Sequence, residues 1–180
     1  MKGMNNKTPW CPGILVAVAI MGLSASFSRP SIIQQMAFCA PAAHLAGFLS
    51  GAPCVKDGDN YRLIGSNLDL TVVPACAATD YFCMLAGFLS LLVTWRSLGL
   101  RAQLLVLPTA WIVTVIVNAL RLTACWQTDR FAQALLPQSL WPTIHMAVGV
   151  VTFLTGMIGV YWAVYRVQGS GGRRLNWRVQ

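Results

Sequence analysis

Long apolar runs with almost no charge inside them constrain this chain more than any other feature. The runs 77–95, 103–124 and 144–166 each approach the roughly 20 residues that a helix needs to cross a hydrocarbon core of about 30 Å. In that medium every backbone N–H and C=O must be satisfied within the segment, so each run is predicted to be a helix. Two further apolar segments precede them. The segment 13–28 is short, and it reads as a first span or as a secretory signal whose small residues Ser24, Ala25 and Ser26 mark a cleavage site. The span is favoured, because the next apolar segment follows at once. That segment, 32–50, holds Gln34, Gln35, Pro41 and His44 and is the least span-like of the five. It crosses the bilayer, re-enters it or lies in its interface.

The expected fold is therefore all-α: a polytopic transmembrane bundle of four to five spans with a short extracytoplasmic hairpin-like segment, forming one integral membrane domain over 1–180. Composition agrees. Hydrophobic residues make up 56% of the chain and charged residues 10%, against about a quarter charged in soluble domains. The net charge of +8 would suit nucleic acid, but the basic residues sit in short segments between apolar runs, where they set orientation. No nucleic-acid partner is expected, and membrane lipid is. The six cysteines include no CxxC pair, which argues against a zinc site or a thioredoxin-like motif, and no metal or other cofactor is expected.

Between the spans the chain is polar. Residues 51–73 hold Lys56, Asp57, Asp59, Asn60 and Arg62. From Tyr61 to Val73 apolar residues alternate, broken at Gly65, Ser66 and Asn67, which predicts a small hairpin acting as a lid or rim on the membrane surface. Residues 126–143 read as a polar to amphipathic loop with Asp129, Arg130, Pro137 and Pro142. Residues 167–180 read as a mobile, basic, Gly-rich tail. Arg166, Arg173, Arg174 and Arg178 at the end, with Arg96 and Arg101 between the third and fourth runs, place both of those segments in the cytoplasm. Residues 51–73 and 126–143 then face outward. The orientation of the N-terminus depends on whether 32–50 crosses.

Topology brings three reactive side chains together. Cys76 stands where the polar segment ends and the third run begins, so it is expected in the first turn of that helix, at its outer end. Arg121 follows Arg101 by 20 residues, about 30 Å along a helix, and reaches the same end. His145 opens the last run from the same side. Pro74 suits a helix start, and a thiol there meets the positive end of the macrodipole. An imidazole can take the thiol proton and return it to a leaving amine. A guanidinium can stabilise the oxyanion of a tetrahedral intermediate. Each residue also has a plainer reading. Cysteines in membrane helices are usually small apolar fillers, as expected for Cys39, Cys83 and Cys125. Cys76 can pair with Cys54 in an oxidising compartment. Arg121 can snorkel to headgroups. His44 is read as structural, and Asp80, one turn from Cys76, as a supporting residue or a partner of Arg121.

At these positions the sequence resembles the exosortase/archaeosortase family, most closely its small K-type members. The resemblance rests on Ala75-Cys76-Ala77, on Asn118-Ala119-Leu120-Arg121 at the end of a later span, and on His145 with Gly149 one turn on; it covers about residues 35 to 155. It implies a multi-pass cysteine peptidase or transpeptidase of the bacterial inner membrane, with its site on the extracytoplasmic side. Its substrates would be secreted proteins ending in a PEP-CTERM-like signal, namely a short motif, one transmembrane helix and a basic tail. By resemblance Cys76 is the nucleophile, Arg121 the oxyanion or thiolate stabiliser and His145 the general acid/base; Asn118, from the same motif, and Asp80, from its position alone, are candidate supports. The sequence departs from the family at Ala78, where Gly is usual, and at Asp80, where Asn is usual. Two other classes stand beside this reading. One is a membrane thiol oxidoreductase cycling Cys54 and Cys76 against a quinone. The other is a non-enzymatic assembly protein, or a haem binder using His44 and His145.

Overall fold

The computed structural model describes residues 18–20, 22, 32–65, 69–95, 100–135 and 137–171. The expected first span, 13–28, lies outside these residues except for 18–20 and 22, which are helical.

The first long helix, α1, runs Ile32–Ser50 and contains one π-helical stretch at Gln35–Cys39. A π stretch displaces carbonyls from the regular ladder, and the indole of Trp111 donates to Ala37 O at 2.8 Å there. The helix stops at Gly51, whose left-handed conformation (φ 69°) returns its N–H to Gly47 O. The Ala52 N–H shares the same acceptor at 3.0 Å.

Three short strands follow: β1 at Cys54–Asp57, β2 at Asn60–Ile64 and β3 at Asp69–Val72, antiparallel in the order β1-β2-β3. The predicted hairpin is β2–β3, with Tyr61 opposite Val72 and Leu63 opposite Leu70. The third strand, β1, was not foreseen. It turns into β2 through Gly58 (φ 59°) and Asp59, with Asp57 opposite Asn60. Alternation gives the sheet two faces. Tyr61, Leu63 and Val72 are buried, whereas Arg62 on the outer face pairs with Asp57 at 3.2 Å and Asp69 at 2.6 Å. These exposed pairs contribute little energy, but they join all three strands in one register.

A 3₁₀ turn, Pro74–Cys76, leads to α2 at Thr79–Trp95. Next comes α3, Leu100–Leu135, then a 3₁₀ turn at Gln138–Leu140 and α4 at Trp141–Gly171. Helix α3 is the hub, packing on α1, α2 and α4. Two cores result. One gathers Ala42, Ala43 and Ala46 of α1, Leu63 and Val72 of the sheet, and Ala119, Leu122 and Trp126 of α3. The alanines let backbones approach closely, as in membrane bundles. Gly47 extends this: a Cβ there would lie 2.9 Å from Ala52 O and 3.4 Å from Leu63 Cδ2, so the sheet seats directly on the end of α1. The second core joins Tyr81, Leu85 and Leu89 of α2 to Val106, Ala110 and Val117 of α3, with Phe153 and Met157 of α4 against it. A buried polar link, Gln103 to Ser90, ties α2 to α3.

The chain is thus mostly helical. Ile32–Ser50, Arg101–Phe131 and Trp141–Arg166 are long and apolar enough to cross a membrane. Helix α2 is apolar but spans 17 residues, about 25 Å. Leu104, Leu105, Ile112, Ile116 and Leu120 of α3, and Val150, Val151, Leu154 and Ile158 of α4, are exposed. Hydrocarbon suits such surfaces, whereas in water they would aggregate.

Two boundaries differ from expectation. Residues 126–135 continue α3 instead of forming a loop, because nothing breaks the helix before Pro137 and because Trp126 and Asp129 are buried against neighbouring elements. Helix α4 starts at Trp141 and continues through Gly171, into the segment read as a mobile tail; residues 172–180 lie outside the described residues.

Candidate active site

Cys76 does not lie in the first turn of α2. It closes the 3₁₀ turn that follows extended Val73 (φ −95°, ψ 164°), with its N–H on Val73 O at 2.7 Å and the Ala77 N–H on Pro74 O at 3.0 Å. Ala78 then adopts φ 56°, and its carbonyl accepts the Phe82 N–H at 3.0 Å to begin α2. The macrodipole argument therefore weakens, since a left-handed residue separates the thiol from the helix. What places the thiol is a sharp double turn at the junction of β3 and α2.

The turn is strained at Ala78. The left-handed region costs a side-chain-bearing residue about 1–2 kcal/mol, and glycine nothing. Ala78→Gly is expected to raise stability by roughly 0.5–1 kcal/mol, the relieved strain less the added freedom of the unfolded chain. A thermal melt of the detergent-solubilised protein checks this; a lowered melting temperature would mean that the strain is not felt.

Helix α3 reaches the turn from the side. Asn118, buried, donates Nδ2 to Cys76 O at 2.7 Å. Arg121, one turn on, lies against α4: a Cβ on Gly149 would meet its Nε at 3.1 Å, and its Cζ stands 5.3 Å from the Phe153 ring centroid. Tyr81 stacks against Phe153 with centroids 4.6 Å apart, so the guanidinium meets a layered aromatic wall. Arg121 Nε is buried and, among the described residues, has no hydrogen-bond partner. Cys125, one further turn along, is buried. His145, in the second turn of α4, places Nε2 2.6 Å from Asp129 Oδ1.

Comparison with protein-family models, with curated proteins and with solved structures returns no match.

Asn118 touches the Cys76 turn, and Arg121 meets α4 one turn from His145. Among the described residues no hydrogen bond joins the Cys76 thiol to His145 or Arg121. Asp80 is exposed, and among the described residues no ion pair joins it to Arg121. Of the fillers, Cys39, Cys83 and Cys125 are buried, though Cys39 Sγ approaches Val73 O at 3.6 Å, the acceptor that also takes the Cys76 N–H. Among the described residues Cys54 and Cys76 are not joined to one another or to another cysteine, and burial pushes the Cys54 thiol up from its ordinary range. That makes Cys54 a slower exchange partner. His44 packs edge-on to Tyr61 with centroids 5.7 Å apart, away from the Asp129 contact of His145.

Asp129 is the residue that sequence reasoning missed. The polar run 126–143 reads as a loop, where an acid carries no positional information. With α3 continued, Asn118, Arg121, Cys125 and Asp129 fall at i, i+3, i+7 and i+11, one helical stripe. An unbroken helical pattern up to Pro137 was the signal.

Proposed function

We propose that this chain is a membrane-embedded cysteine peptidase or transpeptidase of the exosortase kind, acting on C-terminal sorting signals through a thioester. The observation that carries the reading is the Asn118–Cys76 contact: it sets the helix bearing Arg121 directly beside the turn bearing the thiol. Four to five spans, with the thiol turn on the extracytoplasmic side of a bacterial inner membrane, complete the proposal. They rest on the apolar helices and the arginine distribution.

In this reaction Cys76 Sγ attacks the scissile carbonyl carbon while its proton passes to His145. Arg121 supplies guanidinium N–H donors to the oxyanion that forms. Collapse of the tetrahedral intermediate breaks the C–N bond. The amine leaves with the proton from His145, and an S-acyl enzyme remains. Water or an acceptor amine then attacks the thioester and restores the thiol. The reaction requires His145 to come within hydrogen-bond reach of the Cys76 thiol once substrate is bound, since catalytic hydrogen bonds often form fully only in the substrate complex. Substrates of this class carry their own transmembrane helix, which the exposed apolar flanks of α3 and α4 would meet in the bilayer.

The test traps the intermediate. The protein is co-expressed with candidate substrates ending in a motif, a span and a basic tail, quenched in acid and digested. The peptide containing Cys76 is expected to carry an acyl mass that neutral hydroxylamine removes. Processing of a substrate with that peptide always unmodified, under conditions that slow deacylation, would overturn the thioester route.

A further inference from the structure

Helix α3 brings a carboxylate into this neighbourhood that the proposed chemistry has not yet used. The Asp129 side chain is 6% exposed, and its Oδ1 lies 2.6 Å from His145 Nε2. A buried carboxylate is costly unless it is paired and hydrogen-bonded. Its acceptor-only oxygens call for an N–H, and a neutral imidazole has one to give. The His145 ring is 37% exposed, so the rest of it remains open to reactants.

We propose that Asp129 is the positioning residue for His145. It accepts the Nε2–H, fixes the tautomer with its lone pair on Nδ1, and makes Nδ1 the atom that exchanges protons with the thiol and the leaving amine. This rests on the peptidase reading above. The geometry selects the nitrogen: Nε2 is occupied, so the reacting proton travels through Nδ1. When the Cys76 proton arrives there, the imidazolium keeps its Nε2–H on Asp129, and the carboxylate offsets the new positive charge without taking a proton. When the amine leaves, the same proton departs from Nδ1, and the pair returns to its starting state.

A purely structural role is the competing account, since the same contact also pins the far part of α3 to the start of α4. Two measurements separate them. The first is ¹⁵N NMR of the histidine-labelled full chain in nanodiscs, at alkaline pH where imidazole is neutral, with the His145 signals assigned by comparison with His44→Asn. The expected pattern has the proton on Nε2; a proton on Nδ1 would overturn the proposal without touching the peptidase reading.

The second compares precursor processing by wild type, Asp129→Asn and Cys76→Ala. Asn preserves size and a hydrogen bond but neither the charge nor the single tautomer. Asp129→Asn is expected to accumulate normally and to process roughly 10²–10⁴-fold more slowly. Processing within about threefold of wild type would reduce Asp129 to a packing role. Normal processing by Cys76→Ala would instead defeat the peptidase reading, while leaving the NMR result to stand on its own.

Discussion

Cys76→Ala is expected to leave substrate precursors uncut while the protein itself accumulates to wild-type levels. The two halves of that result come from different atoms. The fold uses the backbone of Cys76: its N–H binds Val73 O at 2.7 Å and its carbonyl accepts from Asn118 at 2.7 Å. Alanine keeps both. The sulfur is only half-buried, so its removal opens little cavity, and the stability change should stay within about 1 kcal/mol. The proposed chemistry uses the sulfur alone. Where an enzyme's nucleophile is removed, losses on the order of 10⁶-fold are typical, because base, oxyanion donor and nucleophile act as a unit. Cys76→Ser should fare little better, since a hydroxyl is the weaker nucleophile in a site arranged for a thiol. Immunoblots of precursor and product, beside a blot of the protein, give the result. Normal processing in Cys76→Ala would remove the nucleophile, and a protein that disappears would show that the thiol carries packing.

Much of the bundle was legible in the sequence because hydrocarbon permits few solutions. Runs such as 103–124 and 144–166 could only be helices in a bilayer, and α3 and α4 contain them. The β2–β3 hairpin was legible from its period-2 alternation. The ends of elements were less so. Past residue 125 the rule of polar segment as loop failed, because the partners that bury Trp126 and Asp129 belong to other elements. Strand β1 was missed for the opposite reason: Val55, Lys56 and Asp57 are exposed and lack a buried alternating pattern, and pairing with β2 alone makes them a strand.

The site divides in the same way. That Cys76, Arg121 and His145 share one end of the bundle could be expected from span direction and length; the structure sets Asn118 on the Cys76 turn and Arg121 beside Gly149. The departure from a helix at Cys76 could not be expected, because the left-handed turn at Ala78 depends on how β3 hands over to α2, and alanine does not announce such a turn. Glycine would have announced it. The same limit hid the Asp129–His145 contact, which forms only once α3 outruns its apolar stretch and α4 folds back along it.

Arg121→Ala is expected to lower processing by roughly 10²–10³-fold, the usual effect of removing one oxyanion donor, and Arg121→Lys to recover only a small part of it. The side chain does not reach away from the bundle as a snorkelling arginine would. It lies along α4, over Gly149 and against the Phe153 ring, with Nε enclosed and, among the described residues, unpartnered. These contacts fix how the guanidinium lies, and in the proposed reaction its planar set of N–H donors is what the developing oxyanion meets. Lysine lacks the planar fork and the face that stacks on the ring. Gly149 supplies a graded control. A methyl group there would stand 3.1 Å from Nε and push the guanidinium by a few tenths of an ångström, so Gly149→Ala should fall between wild type and Arg121→Ala. Processing rates normalised to protein level, with melting temperatures for each variant, separate a lost donor from a loosened helix pair. An Arg121→Lys protein that processes within about threefold of wild type would return Arg121 to the headgroups. A graded loss at constant melting temperature would tie the guanidinium to the reacting carbonyl, because only a group that must meet a particular atom is sensitive to so small a displacement.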